Sequence, residues 1–130
     1  MPERLAICRL DPAAPFPAWV LHEGAALFSV TRTPDETSIV CAEDDVPPAV
    51  VRVERGWRAL AVAGPIPFDA VGVIASITEP LAAHGVPVFV ISTYDTDLVL
   101  VRAVDLPRAI EALRPGFTIE DPAAPPSAFA

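Results

Sequence analysis

The chain has 130 residues, enough for one ordinary domain or for two very small ones that share a core. It is 52% hydrophobic and has a net charge of −8, and all nine basic residues are arginine. This composition predicts a folded protein and argues against nucleic acid or an anionic membrane surface as a partner. No apolar run is long enough to span a membrane and the N-terminus lacks a signal-peptide pattern, so we expect a cytoplasmic protein.

The first half of the chain is predicted to be rich in strands and poor in helices. Residues 5–10 form a strand candidate, and a hairpin is expected around the turn at residues 33–36. The remaining predictions here are one or two helical turns at 17–21 and a short helix at 47–55. Cys8 and Cys41 lie in apolar runs without metal-ligand spacing, so we expect two small buried hydrophobes and no metal site.

The second half shows a more regular alternation of elements. Residues 57–63 predict a strand, and the prolines of residues 64–69 predict a loop. A helix follows from residue 70, with Asp69 as its cap, a kink at Pro80 and a glycine stop at Gly85.

A second hairpin and a second helix complete this half. Residues 88–92 and 98–101 predict two buried strands that flank the polar turn at 93–97. Asp105 is expected to cap a helix that ends at Leu113, and residues 116–120 are a candidate closing strand. The order β-α-β-β-α-β is that of the ferredoxin-like split unit, within the α+β class.

The two halves resemble each other. Residues 28–47 align with residues 89–107 with a single gap, and both segments end in an acidic-apolar-proline sequence. We interpret this as an internal duplication whose first copy has lost most of its first helix, although chance similarity of two hairpins is the alternative. The expected organisation is a degenerate unit at 1–56, a complete unit at 57–121 and a proline- and alanine-rich tail at 122–130.

No nucleophile–base arrangement is visible, so no catalytic residue and no cofactor are assigned. Asp95 and Asp97 are spaced as a carboxylate pair for acid–base chemistry, but the alternative, that they shape the turn, is favoured. The helix start near Gly72 has free N–H groups that attract a carboxylate, and Asp97 on the neighbouring strand suits an ammonium group. Together these groups describe a site for an α-amino acid, whereas the alternative role of Gly72 is close packing of helix on sheet.

Residues 72–93, from a Gly-Val helix start to a strand that ends in Ile-Ser-Thr, are similar to the ACT segment of aspartokinases. Residues 92–101 resemble the aspartokinase-like branch that includes small stand-alone bacterial proteins and the CASTOR arginine sensors. The resemblance extends over residues 60–113 and implies a regulatory domain that binds amino acids. Residues 1–56 are then a degenerate partner ACT unit.

The resemblance also implies a ligand site between ACT units. By position, the ligand-binding residues are Asp69, Gly72, Val73, Ile74, Thr93, Tyr94 and Asp97. The sensors use an acidic side chain two residues before the glycine to bind a cationic ligand, and this chain has Ala70 there, so arginine is not carried over as the ligand. We expect at most one competent site per chain, with sheet pairing either between the halves or between two chains of a homodimer.

The sequence is compatible with three functions. The first is a sensor that binds an amino acid and signals to a protein partner that the sequence does not identify. The second is a protein-interaction module with an ACT fold that binds no ligand. The third is a small enzyme that uses Asp95 and Asp97, which requires a deep pocket and a raised carboxylate pKa.

Overall fold

A computed structural model of the chain describes residues 2–67 and 69–120. It contains six strands and two α-helices: β1 (Leu5–Leu10), β2 (Ser29–Arg32), β3 (Thr37–Ala42), β4 (Val53–Ala61), α1 (Val73–Ala83), β5 (Val88–Ser92), β6 (Asp97–Arg102) and α2 (Leu106–Leu113). Within the described residues, no helix has the length and apolar character needed to cross a membrane. The predicted tail at 122–130 lies outside the described residues.

The chain divides into two compact units, and the boundary falls inside β4, between Trp57 and Arg58. In the N-terminal unit the strand order is β2-β3-β1-β4. Strand β1 pairs antiparallel with β3 on one side and with β4 on the other. Strands β2 and β3 also pair antiparallel, so the predicted hairpin is present. The helical turns predicted at 17–21 form a short 3-10 helix, Ala18–Val20.

The helix predicted at 47–55 is wrong. Residues 47–50 form a single turn, in which the Val50 N–H donates to the Pro47 carbonyl at 3.0 Å, and β4 begins at Val53. The β-branched valines of this segment favour a strand, and Pro48 disfavours helical geometry at the residue before it. The register of β1 on β4 shifts beside Gly56, whose φ of +78° is typical of a bulge position.

Both cysteines are buried as predicted, in the same apolar cluster of the N-terminal unit. Cys8 lies on β1 and Cys41 on the neighbouring β3, with Cys41 opposite Ala6. The Cys41 thiol hydrogen-bonds to Cys8, which lowers the pKa of Cys8, whereas the same bond and burial raise the pKa of Cys41. The pair is a packed component of the core, with both thiols free.

His22 has a partner that the sequence did not predict. Its Nε2 lies 2.6 Å from Oδ2 of Asp45, and its Nδ1 lies 3.0 Å from the Glu23 carbonyl. A carbonyl only accepts, as does an ionised carboxylate, so both contacts are satisfied together by the doubly protonated ring. The hydrogen bond to Asp45 is the main cause of a raised His22 pKa.

The raised pKa makes the His22–Asp45 pair dependent on pH. The stabilisation that it gives is fully present below the ordinary histidine pKa and is lost as pH rises through the raised value. An NMR titration of the imidazole resonances should place the His22 pKa above about 6.5, and Asp45→Asn should lower it. The neighbouring change Asp44→Asn is the control. A His22 pKa that is the same in both variants would contradict the pairing.

The C-terminal unit contains a split β-α-β motif. Its strand order is β4-β6-β5, so that β6 lies between the two strands that α1 connects. Strands β5 and β6 pair antiparallel from Val88↔Val101 to Ser92↔Asp97. The core lies between this sheet and the helices, and its most buried members are Ile77, Leu81, Val99, Val101, Ala109 and Leu113. The α+β class and the order β-α-β-β-α are confirmed.

Helix α1 begins later than predicted and has a different cap. Its N-cap is Gly72, with a φ of +82°, and no side chain caps it among the described residues, so the assignment of Asp69 as the cap is wrong. A left-handed φ at this position favours glycine. A Cβ on Gly72 would meet nothing within 4 Å, which also removes close packing as the reason for the glycine.

Two further predictions at the end of the chain need correction. Residues 117–120 belong to no strand, although Ile119 is buried and Phe117 packs against the core. These two residues therefore fill the core as a closing strand would. Asp105 occupies the N-cap of α2 as predicted but makes no cap hydrogen bond, because its Oδ1 accepts from Arg108 at 2.7 Å.

The turn of each hairpin has the same hydrogen-bond pattern. Thr33 N–H donates to the Glu36 carbonyl at 2.9 Å, and Thr93 N–H donates to the Thr96 carbonyl at 2.8 Å. In both turns the threonine hydroxyl also accepts from the amide three residues later. A short 3-10 helix follows each hairpin, at Glu43–Asp45 and at Ala103–Asp105. These parallels, at a constant spacing of 60 residues, support the internal duplication, which stays a prediction.

Candidate functional site

A cavity of about 360 Å³ lies within the C-terminal unit, where the start of α1 meets the β5–β6 turn. Three segments of the chain line it: the loop before α1, the first turn of α1, and the end of β5 with the following turn. The lining residues are Ile66, Pro67, Ala70, Gly72, Val73, Ile74, Ser92, Thr93, Tyr94, Thr96 and Asp97. The cavity volume is near the lower end of the range of about 300–1,000 Å³ for ligand pockets, which suits a small ligand.

Hydrogen bonds hold the loop before α1 against the β5–β6 turn. The Thr96 hydroxyl donates to the Val62 carbonyl at 2.6 Å, and the Ile66 N–H donates to the Asp95 carbonyl at 2.6 Å. The Val62 N–H also donates to the Asp97 carbonyl at 3.1 Å. These three hydrogen bonds connect segments that are about thirty positions apart in the chain. They hold the loop against the turn and thereby fix the width of the cavity.

The first turn of α1 presents unpaired donors to the cavity. Ser76 is the first residue whose N–H finds an intrahelical acceptor, the Gly72 carbonyl at 3.0 Å. The N–H groups of Val73, Ile74 and Ala75 precede it and have no acceptor within the helix. Since no side chain caps this end among the described residues, the donors and the helix dipole favour an anionic group here.

Asp97 supplies negative charge on the other side of the cavity. Its Oδ1 accepts from the Ser92 hydroxyl at 2.7 Å, which orients the carboxylate. Its Oδ2 makes no hydrogen bond, and the carboxylate makes no ion pair, with any of the residues that the structure describes. The cavity therefore contains a partly buried anion with one oxygen open for a cation.

The structure brings together most of the residues that sequence reasoning selected. Gly72, Val73, Ile74, Thr93, Tyr94 and Asp97 all line the cavity. Asp69 does not: it is exposed and lies outside the lining. Asp95 is also outside the lining and contributes its carbonyl to the turn, in agreement with a structural role.

Five lining residues were not predicted: Ile66, Pro67, Ala70, Ser92 and Thr96. A sequence signal existed for Ser92 and Thr96, since Thr96 belongs to the polar turn at 93–97 and Ser92 directly precedes it. The position of the loop residues depends on the Val62 and Ile66 hydrogen bonds, which no local pattern indicates. No cluster of His, Cys, Asp or Glu suited to a metal ion occurs within residues 2–67 and 69–120.

Gly64 provides a test of how the cavity is held. A Cβ at this position would lie 2.9 Å from the Asp95 carbonyl oxygen and 3.2 Å from the Thr96 Cβ. Because the nearest atom belongs to the backbone, Gly64→Ala must displace the loop from the turn. We expect a loss of about 1–3 kcal/mol in the free energy of unfolding, measured by denaturant titration. Gly116→Ala is the matched control, since a Cβ there meets nothing within 4 Å. Equal stability of the two variants would contradict the tight loop–turn contact.

Known protein families and a solved structure match both halves of the chain. The family model for the ACT domain matches residues 52–115, and a second model, described as an N-terminal domain, matches residues 3–49. A crystal structure of a protein from Agrobacterium tumefaciens is similar with a TM-score of 0.79 and 40% identity, covering 87% of this chain and 82% of that one.

Two further relatives have named roles. The cytosolic arginine sensor for mTORC1 subunit 1 of Bos taurus is 36% identical over 102 residues, which cover 71% of this chain and 31% of the relative. The chain thus spans about a third of the length of that sensor. The regulatory subunit of aspartate kinase from Thermus thermophilus has the same fold, with a TM-score of 0.60 at 12% identity, covering 87% of this chain and 91% of that one.

These matches establish the family. The ACT model covers the split β-α-β-β-α unit that forms the cavity, and the Agrobacterium relative extends the similarity over most of both chains. The named relatives are described as a sensor and as a regulatory subunit, which agrees with the prediction of a chain without a catalytic residue. The chain belongs to the ACT domain family.

Proposed function

We propose that this protein is a regulatory sensor that binds a free amino acid in the cavity between the start of α1 and the β5–β6 turn. The observation that carries the proposal is that one small cavity is lined both by a helix start without a side-chain cap and by a carboxylate without an ion pair among the described residues. The similarity to an arginine sensor supports an amino acid as the class of ligand.

The two charged groups of an α-amino acid match the N–H groups at the start of α1 and the carboxylate of Asp97. The ligand carboxylate accepts hydrogen bonds from the N–H groups of Val73 and Ile74, where the helix dipole favours negative charge. The ligand ammonium donates to the open Oδ2 of Asp97. Thr93 and Tyr94 lie at the same end of the site and complete the polar lining.

The rim of the cavity is suited to a second ACT unit. Tyr94 lines the cavity and is 78% exposed, and Val71, beside Gly72, is 96% exposed. Apolar and aromatic side chains left in water at the mouth of a site are favourable contact points for a protein surface. We propose that another ACT unit, supplied by a second copy of the chain, covers this side when ligand is bound.

Binding must change an equilibrium for the protein to act as a sensor. A ligand that favours the covered form shifts the population towards it, and a protein partner that distinguishes the two forms then receives the signal. We further propose a cytoplasmic protein in which residues 1–56 form a degenerate ACT unit and residues 57–121 the ligand-binding one. The division of the chain at Trp57 and Arg58 supports this arrangement.

The proposal is tested by a thermal-shift screen of the purified chain against the twenty amino acids. A ligand at 100 times its Kd adds about 2.7 kcal/mol to the free energy of unfolding, which raises Tm by several degrees for a chain of this size. A rise in Tm with a subset of amino acids is the expected result. An unchanged Tm with all twenty, in a preparation that unfolds cooperatively, would overturn the proposal in favour of an interaction module without a ligand.

A further inference from the structure

The lining of the cavity divides into a polar part and an apolar part. The polar side, where the zwitterionic groups of an amino acid are held, consists of Gly72, Ser92, Thr93, Thr96 and Asp97 together with the backbone N–H groups of Val73 and Ile74. The remaining surface comes mostly from aliphatic side chains: Ile66, Pro67, Ala70, Val73 and Ile74. A bound amino acid that uses the polar part for its two charged groups therefore places its side chain against an aliphatic surface.

Among the residues that the structure describes, no charged group in that surface can compensate a charged ligand side chain. Asp97 is the only carboxylate among the described lining residues, and none of them is an arginine. The Asp97 carboxylate is engaged by the ligand ammonium in the proposed function. A guanidinium, a second ammonium or a second carboxylate would consequently lose hydration without gaining a partner, which is unfavourable.

From this division we infer that the ligand is an α-amino acid with an uncharged, aliphatic side chain. The inference rests on the proposed function and narrows it to one chemical class. Apolar ligand surface is removed from water against Ile66, Val73 and Ile74, and this burial favours aliphatic side chains over polar ones.

Pairs of amino acids that match in shape and differ in charge provide the test. Isothermal titration calorimetry on the full chain compares norleucine with lysine, and leucine with aspartate. We expect each neutral ligand to bind at least about tenfold more tightly than its charged counterpart. Lysine or aspartate binding as tightly as the neutral ligands would overturn this inference while leaving the proposed function in place. Failure of all four ligands to bind would also overturn this inference, whereas the proposed function fails only if all twenty amino acids leave Tm unchanged.

A substitution at Ala70 tests the placement of the ligand side chain. Ala70 is exposed and lines the aliphatic part, so Ala70→Leu should fold and should reduce the space available there. We expect norleucine to bind at least about tenfold more weakly, and the shorter 2-aminobutyrate to change less than about threefold. Val71→Leu is the control, because Val71 is 96% exposed and outside the lining. Equal losses for both ligands, or the same losses in the control, would overturn the placement.

Discussion

Replacing Asp97 with asparagine is expected to weaken amino-acid binding by about ten- to a hundredfold, because a charge-assisted hydrogen bond of about 1.5–3 kcal/mol is lost. Asparagine keeps the shape of the side chain, and its amide oxygen still accepts from the Ser92 hydroxyl. The fold should be unaffected, since Asp97 makes no ion pair with any described residue that the change would break. Calorimetric titration with leucine, together with a denaturation curve, separates the two effects.

The matched control for this variant is Asp95→Asn. Asp95 belongs to the same turn and the change removes the same charge, but its side chain is exposed and outside the cavity lining. Any general effect of reducing the negative charge of the turn appears in both variants. Equal binding by the Asp97 and Asp95 variants would show that the ammonium contact is assigned to the wrong carboxylate.

The largest effect on stability is expected for Leu81→Ala. Leu81 is fully buried in α1, within the apolar cluster that joins both helices to β6. Removal of a buried leucine side chain costs about 2–5 kcal/mol, because apolar contacts are lost and a cavity remains. Urea denaturation should therefore show a clearly lower midpoint, with weaker ligand binding because α1 carries the N–H groups at the site.

Leu21→Ala makes the same chemical change at a side chain that is 56% exposed. Its free energy of unfolding should remain within about 0.5 kcal/mol of that of the original chain. If Leu81→Ala were no more destabilising than Leu21→Ala, the core of the C-terminal unit would be assigned incorrectly.

Much of the fold could be predicted because periodicity and turn chemistry act locally. The bounds of β1 and β5 are as predicted, and α2 differs by one residue at its start. The turn from Thr93 to Thr96 could also be predicted from its sequence, because the Thr93 hydroxyl accepts a hydrogen bond from the nearby Thr96 N–H. The turn and α2 depend on neighbours within a few positions in the chain, and β1 follows its local apolar pattern although its pairing partners are distant.

The errors arose where distant contacts or backbone geometry determine the structure. Asp69 has the right residue type for a cap, but the loop continues to Gly72, whose positive φ starts the helix three residues later. Val53 begins β4 because Cys8 of β1 is its pairing partner. Neither outcome is encoded in the local pattern.

The candidate site was predictable in part for the same reason. The donors of the helix start and the carboxylate of Asp97 follow from local sequence, and the resemblance to ACT domains placed them on neighbouring elements. The aliphatic part of the lining depends on how residues 62–67 cross the turn at residues 95–97. That crossing rests on three hydrogen bonds between segments about thirty residues apart, which sequence reasoning does not provide.

The most direct test of the central claim is an NMR titration of the ¹⁵N-labelled chain with leucine. We predict that the backbone amide signals of Val73, Ile74, Thr93 and Asp97 shift in a saturable manner, while those of the N-terminal unit change little. Shifts confined to other parts of the chain, with these four signals unchanged at saturation, would contradict the assignment of the site.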